Sequence, residues 1–376
     1  MSCSEPPLRG LRVLDFSTLL PGPLATLILA EAGAEVIKIE RPGAGDEMRS
    51  YSPRIGGESV IFAMLNRGKK SIAIDLKAPG SVAQLMPLVE SADVLVEQFR
   101  PGVMQRLGLG HERLSGINPR LVWCSITGYG ALGPRAQAAG HDLNYLAETG
   151  LLDLVRGGDG APALPFTPVA DIAGGSYPAV MNILLALVRR GVTGRGARIE
   201  VSMTDTLFTL AYWALAQGLG AGRWPEPGRA MITGGSPRYR LYRCADGRFL
   251  AAAPLEEKFW ANFCRLIGLA PQYADDARDA DATIAAVAAI IATRSAAEWQ
   301  ARFAGEDACC AIVAPLADAV RDAHFGQRGL FDRKVACGGE PAPALHVPLD
   351  PELRAGHAER AAPALGEHNA MLAAAS

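Results

Sequence analysis

The first third of the chain alternates between two textures, and this alternation restricts the fold more than any other feature. "GLRVLDFS" (10–17) is a short apolar run of the kind that forms a buried strand. "GPLATLILAEAG" (22–33) carries Pro near its start and Gly at its close, the two marks of a helix, and "AEVIKIE" (34–40) is a second strand. The unit then repeats: "SIAIDLK", "GSVAQLMPLVESA", "DVLVEQF", "VMQRLGLG" and "RLVWCSITGYG" read strand, helix, strand, helix, strand. Parallel strands joined by helices bury both faces of their sheet. An α/β fold is therefore predicted, with a doubly wound parallel sheet over roughly the first 130 residues and its ligand site beyond the C-terminal strand ends.

The turn after the first strand, "FSTLLPGPLAT" (16–26), lacks the G-x-G-x-x-G spacing that lets a backbone approach a pyrophosphate, which argues against a dinucleotide enzyme. Further on, "RGGDGAPALPFTP" is a loop and "GGSYPAVMNILLALVRRG" (174–191) opens a helix. "GARIEVSM" (196–203) reads as a strand feeding "LFTLAYWALAQGLGAG" (207–222), a run too short and too glycine-rich to span a membrane. Being apolar all round, it is predicted as a buried helix packed between domains or subunits. "SPRYRLYRCADGRFLAAA" (236–253) reads as two strands joined by a two-residue hairpin at Asp246-Gly247, and three helical segments follow before residue 304. The Pro/Ala-rich tail beyond Gly338 is expected to return and cover something larger.

Composition narrows the function. The 376 residues are 49% hydrophobic and 20% charged with a net charge of −2, which excludes a disordered chain and a basic nucleic-acid-binding surface. The first residues lack a signal-peptide pattern and the last carry no address motif, so a cytoplasmic location without a membrane partner is expected. Seven cysteines, odd in number and without a CxxC pair, argue against a disulfide framework and against a zinc site.

Six stretches in order carry a resemblance. "GAEVIKIERPGAGDEMR", "NRGKKSIAIDLK", "FRPGVMQRLGLG", "AAGHDLNY", "VADIAGG" and "GGSPRYRLYRCADGRFLAAAPLEEKFW" together resemble the class III CoA-transferase family (CaiB/BaiF type), and within it the alpha-methylacyl-CoA racemases. The resemblance runs from about residue 8 to at least 330. It implies a Rossmann-like large domain (1–195, completed by 330–376), a linker strand and helix (196–224) and a small α/β domain (225–329). It also implies an interlocked homodimer and an acyl-CoA substrate, with coenzyme A bound as part of that substrate and no separate cofactor or metal.

By the same resemblance, Arg41, Ile74, Asp75, Leu76, Lys77, Phe99, Arg100 and Arg106 are coenzyme A contacts. Gly140 belongs with them, and Asp142 is either such a contact or a helix cap. Read without the resemblance, lone Lys and Arg residues are solvated surface charge, and Lys69 and Lys70 are left in that class.

Inverting the carbon beside a thioester carbonyl requires one group to remove the α-proton and another to return it on the opposite face, and histidine or a partly buried carboxylate suits either task. The resemblance assigns these roles to His141 and Asp171, with Glu256 hydrogen-bonding the histidine and the adjacent Glu257 as its competitor. The plain reading is that Asp171 and His141 cap helices. Thr167 stands where the racemases carry an asparagine paired with the aspartate. Three functions are open: epimerisation of a 2-methylacyl-CoA by two-base proton transfer, CoA transfer between carboxylates through an Asp171 aspartyl-CoA intermediate, and coenzyme A binding without catalysis.

Overall fold

The computed structural model describes residues 5–356 and 360–373; Cys3 lies outside them. It separates into two compact units: one runs through Thr149 and adds Pro165–Leu210 and the chain from Ala323, and the other holds Gly150–Leu164 and Ala211–Asp322.

The first unit contains strands β1 (Arg12–Asp15), β2 (Glu35–Glu40), the short pair β3 (Arg54–Ile55) and β4 (Glu58–Ser59), then β5 (Lys70–Ala73), β6 (Val94–Glu97), β7 (Val122–Thr127) and β8 (Ala197–Ser202). Its helices are α1 (Pro21–Glu31), α2 (Val60–Asn66), α3 (Ser81–Glu90), α4 (Val103–Arg106), α5 (His111–Ile117), α6 (Asp142–Glu148), α7 (Tyr177–Thr193) and α8 (Met203–Leu210). Six strands form one sheet in the order β5-β2-β1-β6-β7-β8, every pair parallel. Counted along the sheet's own strands this is 3-2-1-4-5-6, the doubly wound order in which the direction of winding reverses between the first and fourth strands. Leu14, Ile37, Ile72 and Leu95 are fully buried in its core. Burying each such side chain contributes about 2 kcal/mol, which accounts for the near-continuous apolar character of these runs.

The segment expected to be a linker strand is the sixth strand of the sheet, in register with β7 from Ala197 opposite Val122 to Ser202 opposite Thr127. Pairing satisfies backbone groups that a free-standing linker would leave to solvent. The tail covers the opposite edge: the His368 N–H donates to the Ser71 carbonyl at 2.9 Å, and the Asn369 amide brackets Ala73, accepting from its N–H at 2.8 Å and donating to its carbonyl at 3.2 Å. An open edge strand is thereby closed.

The run 207–222 is broken rather than continuous. It is divided among the end of α8, the short helix α9 (Tyr212–Leu215) and a π-turn at Ala216–Gly220, and Phe208, Tyr212 and Leu219 are exposed instead of buried. A different helical run, Ala170–Thr193, is the one long and apolar enough to cross a membrane among the described residues. One face of it packs on α1, β7 and β8.

The second unit holds an antiparallel sheet ordered β11-β10-β9, where β9 is Arg240–Arg243, β10 is Phe249–Ala252 and β11 is Cys310–Ile312. Its helices α10 (Glu257–Ile267), α11 (Ala280–Ile291) and α12 (Ala296–Phe303) close over a stack of Trp260, Phe263, Phe303 and Trp299. The β9–β10 hairpin has a three-residue loop, not a two-residue one: Cys244 and Arg248 are the last bonded pair, and Gly247 takes a φ of 81°. A type I turn followed by a left-handed residue places glycine at this third loop position.

Candidate active site

Strands β1, β6 and β7 end on one side of the sheet, where the winding direction reverses. A cleft of about 390 Å³ opens there, walled by Leu19 and Pro21 after β1, Phe99 and Arg100 after β6, Gly128 and Tyr129 after β7, and by Gly140, His141, Tyr145, Asp171 and Met203. The crevice beyond the carboxyl ends at a switch point is where open α/β sheets bind ligands.

Asp171 stands on a π-turn, Ala170–Ser176, that leads into α7. Such turns widen a helix by one residue and re-aim its side chains. The turn is seated closely: a Cβ on Gly174 would fall 2.9 Å from the Met203 carbonyl oxygen, and the Ser176 hydroxyl donates to the Pro21 carbonyl at 2.8 Å. The Asp171 N–H donates to Asp142 Oδ1 at 3.0 Å, so the two carboxylates are neighbours. Burial and, after it, the Asp142 charge push the Asp171 carboxyl up to about 6, with His141 opposing them. This is not the N-cap of the plain reading, since no side-chain capping bond forms at the turn's N-cap, Val169.

His141 occupies the N-cap position of α6, and its N–H donates to Asn144 Oδ1 at 3.0 Å. Its backbone thus starts the helix while the exposed residue lines the same cleft as Asp171. Gly140 is required by its neighbours: the Tyr145 hydroxyl donates to the Gly140 carbonyl at 2.6 Å, and a Cβ there would meet the Tyr145 ring at 2.6 Å. Tyr145, packed edge-on against Tyr129, has its hydroxyl pushed up to about 12 by burial and by Asp171, so it stays a neutral donor. Sequence reasoning did not single out these two tyrosines, although Tyr145 lies in "HDLNY", a stretch that carried other site residues, and Tyr129 in the "GYG" that ends a strand.

The remaining expected contacts divide. Phe99 and Arg100 line the cleft, and no hydrogen bond or ion pair engages the Arg100 guanidinium among the described residues. Arg41 is at the end of β2, donating to the Gly45 carbonyl and pairing with Glu47 at 3.1 Å. Ile74 is a core side chain after β5, Asp75 accepts from the Lys77 N–H, and Leu76 packs on the same core. Arg106 is exposed on α4. Arg41, the 74–77 segment and Arg106 therefore lie outside the cleft wall while sharing the carboxyl side of the sheet with it. Glu256 is exposed at the N-cap of α10 in the second unit, and its neighbour Glu257 is taken by Arg238 at 2.8 Å. Thr167 is exposed. Lys69, expected as surface charge, is fully buried and paired with Asp15 at 3.2 Å; Lys70 stays at the surface against Glu35. Among the described residues no group of three or more His, Cys, Asp or Glu side chains is placed to hold a metal ion.

A doubly wound sheet whose switch-point cleft holds an imidazole and a carboxyl raised to about 6 is the frame of an α/β enzyme working on a small molecule by acid–base or nucleophilic chemistry. The chain belongs to CoA-transferase family III, whose family model matches residues 8–369. It is 34% identical over 369 residues to the human alpha-methylacyl-CoA racemase, covering 96% of this chain and 91% of that one. It is 35% identical over 385 residues to the acetyl-CoA:oxalate CoA-transferase of Acetobacter aceti, covering 97% and 95%. Among solved structures, a CaiB/BaiF family protein from Brucella suis superposes with a TM-score of 0.83 at 29% identity, covering 99% of each chain. Racemases and transferases thus stand at equal distance, and the family is one of enzymes acting on acyl-CoA thioesters.

Proposed function

We propose that this chain epimerises the α-carbon of a 2-methylacyl-CoA thioester, with Asp171 and His141 exchanging the proton. The carrying observation is that Asp171, raised to about 6, shares one cleft with His141. A carboxyl near 6 is partly ionised at neutral pH, so it both accepts and returns a proton there. One group removes the α-proton, the C–H electrons pass to the thioester carbonyl as an enolate, and the other group protonates the opposite face. The two groups end with their protonation states exchanged. Arg100, which lines the cleft and whose guanidinium has no hydrogen-bond or ion-pair partner among the described residues, suits a phosphate of coenzyme A. Arg41, the segment Ile74 to Lys77 and Arg106 extend that binding track along the carboxyl side of the sheet. Glu256 is assigned, from the family resemblance, as the carboxylate orienting the imidazole. The working form is a homodimer, and no cofactor, nucleic acid or membrane is required.

One observation favours a second reading: no cation pairs with the Asp171 carboxylate among the described residues. An unpaired carboxylate is a competent nucleophile. It would attack the thioester, release coenzyme A thiolate and form a mixed anhydride; the thiolate would then attack the aspartyl carbonyl, releasing the first carboxylate and leaving an aspartyl-CoA thioester for an acceptor acid.

Incubating the protein with (S)-2-methylacyl-CoA in heavy water, with and without a carboxylate acceptor, separates the readings by NMR. Deuterium at the α-carbon without acceptor is the expected result. Thioester exchange that depends on the acceptor would replace it with the transferase. His141→Ala is expected to abolish α-exchange and to keep coenzyme A binding; a fully active variant defeats the two-base scheme.

A further inference from the structure

The β1–α1 turn supplies one wall of the cleft through Leu19 and Pro21. Leu19 holds a φ of 62°, a left-handed conformation that a leucine side chain disfavours. Such a conformation persists only where its surroundings enforce it, and here the enforcing groups are buried charges. The Leu19 N–H donates to Asp46 Oδ1 at 3.2 Å, and the Ser17 carbonyl accepts from Lys38 Nζ at 2.7 Å. Lys38 and Asp46 are themselves paired at 2.9 Å with both side chains at 0% exposure. Behind them Asp15 accepts from the Ser17 N–H at 3.0 Å and from the Thr26 hydroxyl at 2.6 Å, and pairs with the equally buried Lys69. Lys69 also donates to the Pro23 carbonyl at 3.0 Å and to Asn66 Oδ1 at 2.9 Å.

None of these four charged residues lines the cleft, so they do not bind its ligand. Stability is a weak reason for their presence, because two buried ion pairs lose in desolvation much of what their attraction returns, and apolar replacements are commonly as stable. What apolar side chains would not supply is a set of directed bonds to the turn's own N–H and C=O groups. We propose that Lys38 and Asp46, backed by Asp15 and Lys69, are positioning residues that lock the β1–α1 turn in its left-handed shape and so preset the cleft wall before the thioester arrives. The inference deepens the acyl-CoA reading of the cleft and rests on it for the ligand, though not for the lock itself. A preset wall spares the ordering cost of binding.

Two readouts test it on the full-length protein. Hydrogen exchange of a peptide covering residues 16–22 reports the lock without any ligand: Lys38→Met is expected to raise exchange there while the rest of the sheet stays protected. Titration with 2-methylacyl-CoA reports the wall: Lys38→Met should weaken binding by about tenfold, with KM rising more than kcat falls. Asp46→Ala should match it, and Asp46→Asn, which keeps an acceptor for the Leu19 N–H, should lose less. This pair carries the test if Lys38→Met does not fold. A variant with a lowered melting temperature but wild-type exchange at 16–22 and wild-type affinity would reduce the cluster to plain scaffolding and overturn the proposal. Wild-type protein that binds no acyl-CoA would instead remove the ligand reading of the cleft, leaving the exchange result to decide the lock.

Discussion

Asp171 and Asp142 set the acid–base character of the cleft between them. With a folded value near 6 against an ordinary 3.8, Asp171 keeps its proton over a range where the unfolded chain has released it. Stability from this residue therefore falls as pH rises from about 4 to about 6, and the cost is fully present above that window. Asp171→Asn should raise the unfolding free energy by about 1 kcal/mol at pH 8, the full linkage being reduced because the side chain is partly exposed, and should change little at pH 4. Urea denaturation at the two pH values measures this, and a loss at pH 8 would contradict the burial argument. Asp142→Asn removes the second contributor, so the Asp171 pKa should drop and the acidic limb of the exchange-rate profile should move to lower pH. A sequence shows that a carboxylate follows a loop and precedes a helix, which is why Asp171 read alone is a cap. Its elevated pKa comes from burial and from a second carboxylate 29 positions away in the chain, and neither is local information.

Elements were legible wherever a local pattern decides them. Strands β1, β2, β5, β6, β7 and β8 and helices α1, α3, α4 and α7 follow from apolar runs bounded by Gly, Pro and polar residues, and α10, α11 and α12 are legible as helical segments, whereas β3, β4, α2 and α5 were not read from the sequence. The three-residue strand β11, "CAI", was not, because so short a run has no period to read and forms only by pairing with β10. Lys69 misled for a related reason: a lysine beside a glycine at a strand's start looks solvated, and only the fold places Asp15 beneath it. The π-turn before α7 is the element on which the chemistry depends most. "ADIAGGS" reads as an ordinary helix start, but the turn's geometry is set by the contact of Gly174 with the Met203 backbone. Gly174→Ala brings a methyl group within 2.9 Å of a carbonyl oxygen that cannot rotate away. The expected result is a loss of about 2 kcal/mol in stability and a fall in kcat, with coenzyme A affinity less affected because Arg100 is carried by a different strand end. Chemical denaturation and steady-state kinetics on one sample check both parts.

At the scale of the molecule, a strand order of 3-2-1-4-5-6 follows from successive βαβ units, whereas the division into units does not. Gly150–Leu164, whose Gly/Pro-rich sequence reads only as a loop, joins the second unit, and the chain returns to the first from Ala323, close to the residue 330 that the resemblance implies. What the single chain leaves uncovered is as informative. Along α7, Met181, Leu185, Val188 and Val192 are 57%, 61%, 71% and 88% exposed. Their spacing of four, three and four residues puts them on one face of the helix, opposite the buried Ala179, Ile183 and Ala186. A continuous apolar stripe on a helix whose other face is already packed calls for a partner. A second copy of this chain fits that need and agrees with the homodimer proposed above. Replacing Leu185 and Val188 together by glutamate puts two charges into the stripe without touching the sheet or the cleft. Light scattering coupled to gel filtration should show dimer for the wild type and monomer for the double variant at micromolar concentration. A double variant that remains a dimer would move the interface off α7, towards the exposed Phe208 and Leu210 of α8.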